Sequence, residues 1–258
     1  MQPLTLTLLQ TSLHWHDREA NLAMFSEKLG LLSQPTDLIV LPEVFSTGFS
    51  MEAPAYAERT EGPVLDWMRQ AAGRHQAVVT GSIIVEEEGK YYNRLLWVRP
   101  DGSYAQYDKK HLFRMAGEDG VYTAGQQKLV VELKGWNICP LVCYDLRFPV
   151  WSRNVRNQYD LLLYVANWPE PRAQAWRTLL QARAIENLGY CVGVNRVGQD
   201  GKGIAYAGDS LVVDPKGQVL LSATRLECMP TLTLSKLELT EFREKFPAHL
   251  DADGFEIF

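Results

Sequence analysis

Apolar positions along this chain follow two rhythms, and the rhythms take turns. "LTLTLLQ" (4–10) alternates apolar and polar residues with a period of two, the mark of a strand with one buried face. Residues 18–32 place Leu22, Phe25, Leu29 and Leu32 at helical spacing. "TDLIVLPE" (36–43) is a short, continuously apolar run, as expected of a strand buried on both faces. Pro63 opens a helix with Val64, Met68 and Ala71 on one side. Three strands follow, "AVVTGSIIV", "YYNRLLWV" and "SYAQYDK", separated by the turn-like "EEEGK" and "RPDGS", and they predict an antiparallel meander.

The second half repeats the alternation. "LVVEL-KG-WNICPLVCYD" reads as a hairpin whose second strand ends near Cys143, and Pro149 opens a short helix. "YDLLLYVANW" (159–168) is a buried strand, 170–188 a long helix, and "YCVGVN" (190–195) another strand. "SLVVD-PKG-QVLL" (210–221) is a hairpin, and a last helix lies near 236–246. Mixed strands alternating with covering helices predict one layered α/β domain over 1–258.

Composition narrows the partners. The chain has 258 residues, 46% apolar and 22% charged, with a net charge of −5 and no basic tract. That balance excludes nucleic acid as the expected partner, because such binding needs a positive footprint. No apolar run approaches the roughly 18 residues of a membrane span, and the first twenty residues lack the pattern of a signal peptide, so a cytoplasmic protein is expected. Cys139, Cys143, Cys191 and Cys228 form no CxxC pair. On a strand Cys139 and Cys143 would lie about 13 Å apart, beyond disulfide reach, and a structural zinc site would lack its paired ligands. Four free thiols are expected.

Three polar residues stand at the ends of apolar strands: Glu43 after "LIVLP", Cys143 after "ICPLV", and Asn167 after "LLLYVA". In open α/β sheets ligands bind beyond the carboxyl ends of strands, so the three together mark a candidate site. Each alone has a plainer reading, as a solvated loop acid, a packing thiol or a turn residue. A thiol nucleophile needs a base and a group to hold an oxyanion. "YDKKHLF" (107–113) offers Lys109 and His111, two apart and therefore on one face if the segment is a strand. Two mechanisms stay open on this evidence: His111 as base in a Cys/His pair, or Glu43 as base with Lys109 supplying positive charge.

"LPEVFSTGF", "YDKKHLF", "LVCYDLRFP" and "RAIENLGYCVGVNRVG" resemble, in order and spacing, the signature blocks of the nitrilase superfamily of carbon–nitrogen hydrolases. "YDKKHLFRMAGED" and "LVCYDLRFPVWSRN" are most similar to its bacterial omega-amidase branch, which hydrolyses the terminal amide of short 2-oxo dicarboxylic acid monoamides such as 2-oxoglutaramate. The resemblance implies a four-layer α-β-β-α sandwich, a homodimer, and a catalytic set of Glu43, Lys109 and Cys143 that needs neither metal nor cofactor. It implies a second acid at Glu118, with Asp119 beside it as the competing assignment. It implies an oxyanion donor at the Tyr144 backbone N–H and a supporting, substrate-side role for His111. Phe49, Asn167 and Trp168 are expected to line the pocket. Arg147 is expected either to bind a substrate carboxylate or to make a structural ion pair, Asp145 to cap the helix opened by Pro149, and Arg183 to pair with Glu186.

Three rival readings follow. One is another enzyme of the same family: a nitrilase, an N-carbamoyl amidase or a general aliphatic amidase. Another is a metal-dependent phosphoesterase drawing on Asp145, Asn167, His111 and Glu43. The last is a binding protein that kept the fold without the chemistry.

Overall fold

The computed structural model describes residues 2–254. The first half of the chain runs β1 (Leu4–Leu8), α1 (Arg18–Gly30), β2 (Leu38–Val40), α2 (Ala53–Tyr56), α3 (Pro63–His75), β3 (Val78–Glu87), β4 (Lys90–Val98) and β5 (Tyr104–Asp108). The second runs β6 (Val131–Leu133), β7 (Trp136–Val142), α4 (Pro149–Ser152), β8 (Leu161–Ala166), α5 (Ala173–Asn187), β9 (Tyr190–Asn195), β10 (Val197–Gln199) and β11 (Ala205–Ala207). It closes with β12 (Leu211–Val213), β13 (Val219–Ser222), β14 (Thr231–Leu234) and α6 (Lys236–Lys245).

The strands make two six-stranded mixed sheets, ordered β14-β1-β2-β3-β4-β5 and β13-β12-β9-β8-β7-β6. In the first sheet β1, β2 and β3 are parallel neighbours, and in the second β7, β8 and β9 are. Alternation along the strands sorts side chains between layers. Leu38 and Val40 face the other sheet, where they join Ile138, Leu161 and Leu163. Ile39, between them, faces α1 and α3, where it joins Phe25, Leu65 and Met68. On the far side of the second sheet α5 contributes Trp176, Leu180 and Ala184. The result is an α-β-β-α stack. At Gly193 on β9 a Cβ would fall 2.5 Å from Leu180 Cδ1, so glycine there lets α5 lie close against the sheet.

The caps follow local chemistry. Asp17 accepts the Ala20 N–H to start α1, and Ser235 accepts the Glu238 N–H to start α6. Pro63 occupies the first turn of α3. The meander β3-β4-β5 is antiparallel as the turns predict. Other expectations shift. The apolar run at 36–43 yields only three strand residues, because the chain leaves the sheet after Val40 to present Glu43. The strand containing "YDK" ends at Asp108, before Lys109. β14 and the small hairpin β10-β11 carry little periodic signal, and the sequence reading passes over them. β14 is held as the edge partner of β1, and β10-β11 flanks the site.

Candidate active site

Two elbows bring the site together. β7 ends at Val142, and Cys143 takes φ 43°, a left-handed conformation rare for a non-glycine residue. The chain then turns into a short 3-10 segment, Cys143–Arg147. Asp145 holds this elbow: its carboxylate accepts the Val142 N–H at 3.0 Å, the Tyr107 hydroxyl at 2.7 Å and the His111 N–H at 2.9 Å. A matching elbow follows β2, where Val44 takes φ 43° and donates its N–H to Ser82 Oγ at 2.9 Å. These reversals turn the preceding strand ends, with Glu43 and Cys143, toward one cleft.

The cleft has a volume of about 730 Å³. Glu43, Lys109 and Cys143 all line it, with Phe49, Tyr144, Arg147, Asn167 and Trp168 around them. Glu43 is wholly buried and held by three donors: Asn93 Nδ2 at 2.8 Å and Lys109 Nζ at 3.0 Å on Oε1, and the Asn167 backbone N–H at 2.7 Å on Oε2. The Asn167 side-chain amide donates back to the Glu43 carbonyl, which locks the ends of β2 and β8 together across the two sheets. Lys109 Nζ lies 2.9 Å from both oxygens of Glu118, which is also wholly buried and accepts the Phe113 N–H. Lys109 itself is placed by Gly125, whose N–H donates to the Lys109 carbonyl at 2.9 Å. A Cβ at Gly125 would fall 2.0 Å from the Asp108 carbonyl oxygen, so the contact requires glycine.

Charge at the site follows from burial. Desolvation works against the Lys109 ammonium, but the Glu118 and Glu43 carboxylates outweigh it and hold the lysine charged far beyond its usual range. Burial raises the Glu118 carboxyl, and the Lys109 charge opposes it. Burial pushes the Cys143 thiol well up, the Glu43 charge adds to the rise, and Lys109 pulls against both. The resting arrangement therefore sets a thiol held toward its neutral form beside a charged lysine that bridges Glu43 and Glu118.

His111 stands elsewhere. It does not line the cleft; its Nδ1 donates to Asp145 Oδ1 at 2.7 Å, and its ring stacks on Phe148 with centroids 3.7 Å apart. The substrate-side assignment of His111 is thus corrected: the strand ends one residue before Lys109, so the shared face of Lys109 and His111 disappears. The capping role expected of Asp145 is corrected as well, because its carboxylate points back to β7 and His111, and α4 has no side-chain cap. Arg147 makes no ion pair among the described residues; it lies over the Trp168 ring, 5.0 Å from its centroid, and lines the cleft. Arg183 does pair with Glu186, at 2.9 Å. Asp119 pairs with the exposed Arg114, away from Lys109. All four cysteines are free.

Sequence reasoning missed Asn93, Phe113, Arg172 and the β10-β11 residues Asp200 and Tyr206. Asn93 left a signal, a buried polar residue inside the strand "YYNRLLWV". Tyr206 lies on β11, too short to show a period, Arg172 on a single 3-10 turn, and the others on loops.

Similarity to known proteins decides the family. A carbon–nitrogen hydrolase family model matches residues 5–241. This chain belongs to the carbon–nitrogen hydrolases. It is 49% identical to the omega-amidase YafV of Escherichia coli K12 over the whole of both chains, and 31% identical to a 2-oxoglutaramate amidase of Bacillus subtilis over 96% of each. A crystal structure of a CN-hydrolase superfamily protein from Xanthomonas campestris, described with an arsenic adduct in its active site, superposes with a TM-score of 0.98 at 47% identity, covering all of both chains. The nitrilase-type fold expected from the motifs is the fold observed, and this carbon–nitrogen hydrolase acts on C–N bonds.

Proposed function

We propose that this carbon–nitrogen hydrolase is an omega-amidase, which cleaves the terminal amide of short 2-oxo dicarboxylic acid monoamides such as 2-oxoglutaramate and 2-oxosuccinamate to the acid and ammonia. The observation that carries the chemistry is the buried Glu43–Lys109–Glu118 cluster opening onto the same cleft as Cys143. The full-length likeness to the E. coli omega-amidase and the likeness to the B. subtilis 2-oxoglutaramate amidase support the substrate class.

The reaction runs through a thioester. Glu43 accepts the Cys143 proton as sulfur attacks the amide carbon. Because burial disfavours a free thiolate, transfer and attack proceed together. The oxyanion is held by the Lys109 ammonium and by the Tyr144 N–H, which lies in the first turn of the 3-10 segment, where N–H groups have no intrahelical partner. Such a donor is worth about 3 kcal/mol in the transition state. Glu43 returns the proton to the leaving nitrogen and ammonia departs. Glu43 then takes a proton from water as it attacks the thioester, and the thiol is restored. Glu118 keeps Lys109 charged and in place. Phe49, whose ring centroid lies 5.0 Å from Lys109 Nζ, keeps that end of the cleft dry, and Arg147 offers a cation to the far end of the substrate. A cytoplasmic setting and a homodimer complete the proposal, the first argued from four free thiols and the second from the family resemblance.

The test compares ammonia release, as kcat/KM, for 2-oxoglutaramate, glutamine, an uncharged aliphatic amide and a nitrile. The 2-oxo acid amide is expected to lead by a wide margin, and the nitrile to be nearly inert. A nitrile or uncharged amide in first place would overturn the substrate class.

A further inference from the structure

Beyond the catalytic cluster, the cleft carries cationic groups that the reaction steps leave unused. Arg172 ends the 3-10 turn Glu170–Arg172, five residues after Asn167, and reaches into the same cleft as Cys143. Its guanidinium carbon lies 5.2 Å from the centroid of Phe113, which comes from the loop after β5. Trp168 ties Arg172 to Arg147: its indole N–H donates to the Arg172 carbonyl at 2.8 Å, and its ring face seats the Arg147 guanidinium.

Neither arginine meets a carboxylate among the described residues. This sets them apart from Arg94, Arg183 and Arg243, each neutralised by an acid. The acids that share the cleft are already engaged. Glu170 pairs with Arg225, and Asp200 accepts the Tyr206 hydroxyl at 2.8 Å and the backbone N–H groups of Lys202 and Ile204 at 2.9 Å. Glu43 is bound to Lys109. A guanidinium held over a ring face by cation–π attraction still has N–H groups to offer a carboxylate. Its ordering cost is reduced before the ligand arrives.

We infer that Arg172 is a specificity-determining residue, forming with Arg147 a two-pronged seat for the 2-oxo acid end of the substrate. The inference deepens the omega-amide reading and rests on it. That end of the substrate presents a carboxylate and an adjacent keto oxygen, all acceptors and no donors, which matches two donor forks. Glutamine places an ammonium there, which two guanidinium groups repel. The seat is also joined to the catalytic cluster, because Phe113, on which Arg172 stands, donates its N–H to Glu118. A substrate end anchored at Arg172 therefore positions the carbonyl and affects kcat as well as KM.

The experiment measures kcat/KM on the full-length protein for 2-oxoglutaramate, glutamine and pentanamide, in the wild type and in Arg172→Ala, Arg172→Lys and Arg172→Glu. The 2-oxoglutaramate to pentanamide ratio is expected to fall roughly 10- to 100-fold in Arg172→Ala, the worth of a charged hydrogen-bonding group. Arg172→Lys should recover part of that ratio, and Arg172→Glu should raise glutamine relative to 2-oxoglutaramate. Should Arg172→Ala fail to fold, the same fall, smaller in size, is read from Arg172→Lys. Equal losses on both amides, or an unchanged ratio, would overturn the assignment while the wild-type preference stands. A wild type with no preference for 2-oxoglutaramate over pentanamide would overturn the omega-amide reading and this inference together.

Discussion

Lys109 grips Glu118 with both carboxylate oxygens 2.9 Å from Nζ, and neither side chain is more than 1% exposed. Removing one partner leaves a buried, half-compensated charge, which costs about 3–5 kcal/mol. Glu118→Ala is expected to lose that much stability in denaturant unfolding and to lower kcat about 100-fold or more, the scale of a displaced oxyanion donor. Asp119→Ala touches only a surface pair with Arg114 and should stay within about 0.5 kcal/mol of wild type. The opposite ranking would move the second acid to Asp119.

Adjacent lysines should separate cleanly. Lys109→Ala should lower kcat by about three orders of magnitude, since it removes a donor and strands two carboxylates. Lys110 Nζ bonds Gln126 at 2.9 Å on the surface, so Lys110→Ala should be mild. His111→Ala loses the contact with Asp145 and should cost about 1–3 kcal/mol of stability, with kcat within about tenfold of wild type by the same reasoning that removes His111 from the cleft. A dead His111→Ala beside an active Lys109→Ala would reinstate the Cys/His mechanism.

Cysteine labelling of the native protein should find Cys143 and the half-buried Cys228, and spare Cys139 and Cys191, which are wholly buried. Cys143→Ala should abolish turnover, and Cys139→Ala and Cys191→Ala should retain it. Ammonia release by Cys143→Ala at a normal rate would remove the thioester from the mechanism.

The pH dependence follows from the raised Cys143 thiol, whose ordinary value is 9.0. A group that keeps its proton in the fold but loses it in the unfolded chain contributes stability at low pH and loses it as pH rises past the unfolded value. Wild-type stability should therefore decline above about pH 9, more steeply than that of Cys143→Ala. The kcat/KM profile should show no thiol ionisation between about pH 6 and 8. A thiolate limb in that window would mean a preformed ion pair.

The sequence alone carries the alternation of strands and helices, because buried faces force apolar residues into periods of 2 and 3.6. It also placed Glu43 and Cys143 at strand ends, since a polar residue closing an apolar run marks where a chain leaves a sheet. Lys109 as a catalytic residue came from the resemblance, and the face it was expected to share with His111 is absent, as β5 stops at Asp108. Where His111 points depends on packing, because Asp145 claims its Nδ1 from 34 residues away. The same holds for Asn93 on Glu43, 50 residues apart, and for Arg172 beside Phe113. These partners lie on different elements, and a contact made by packing across two sheets leaves no period in the chain.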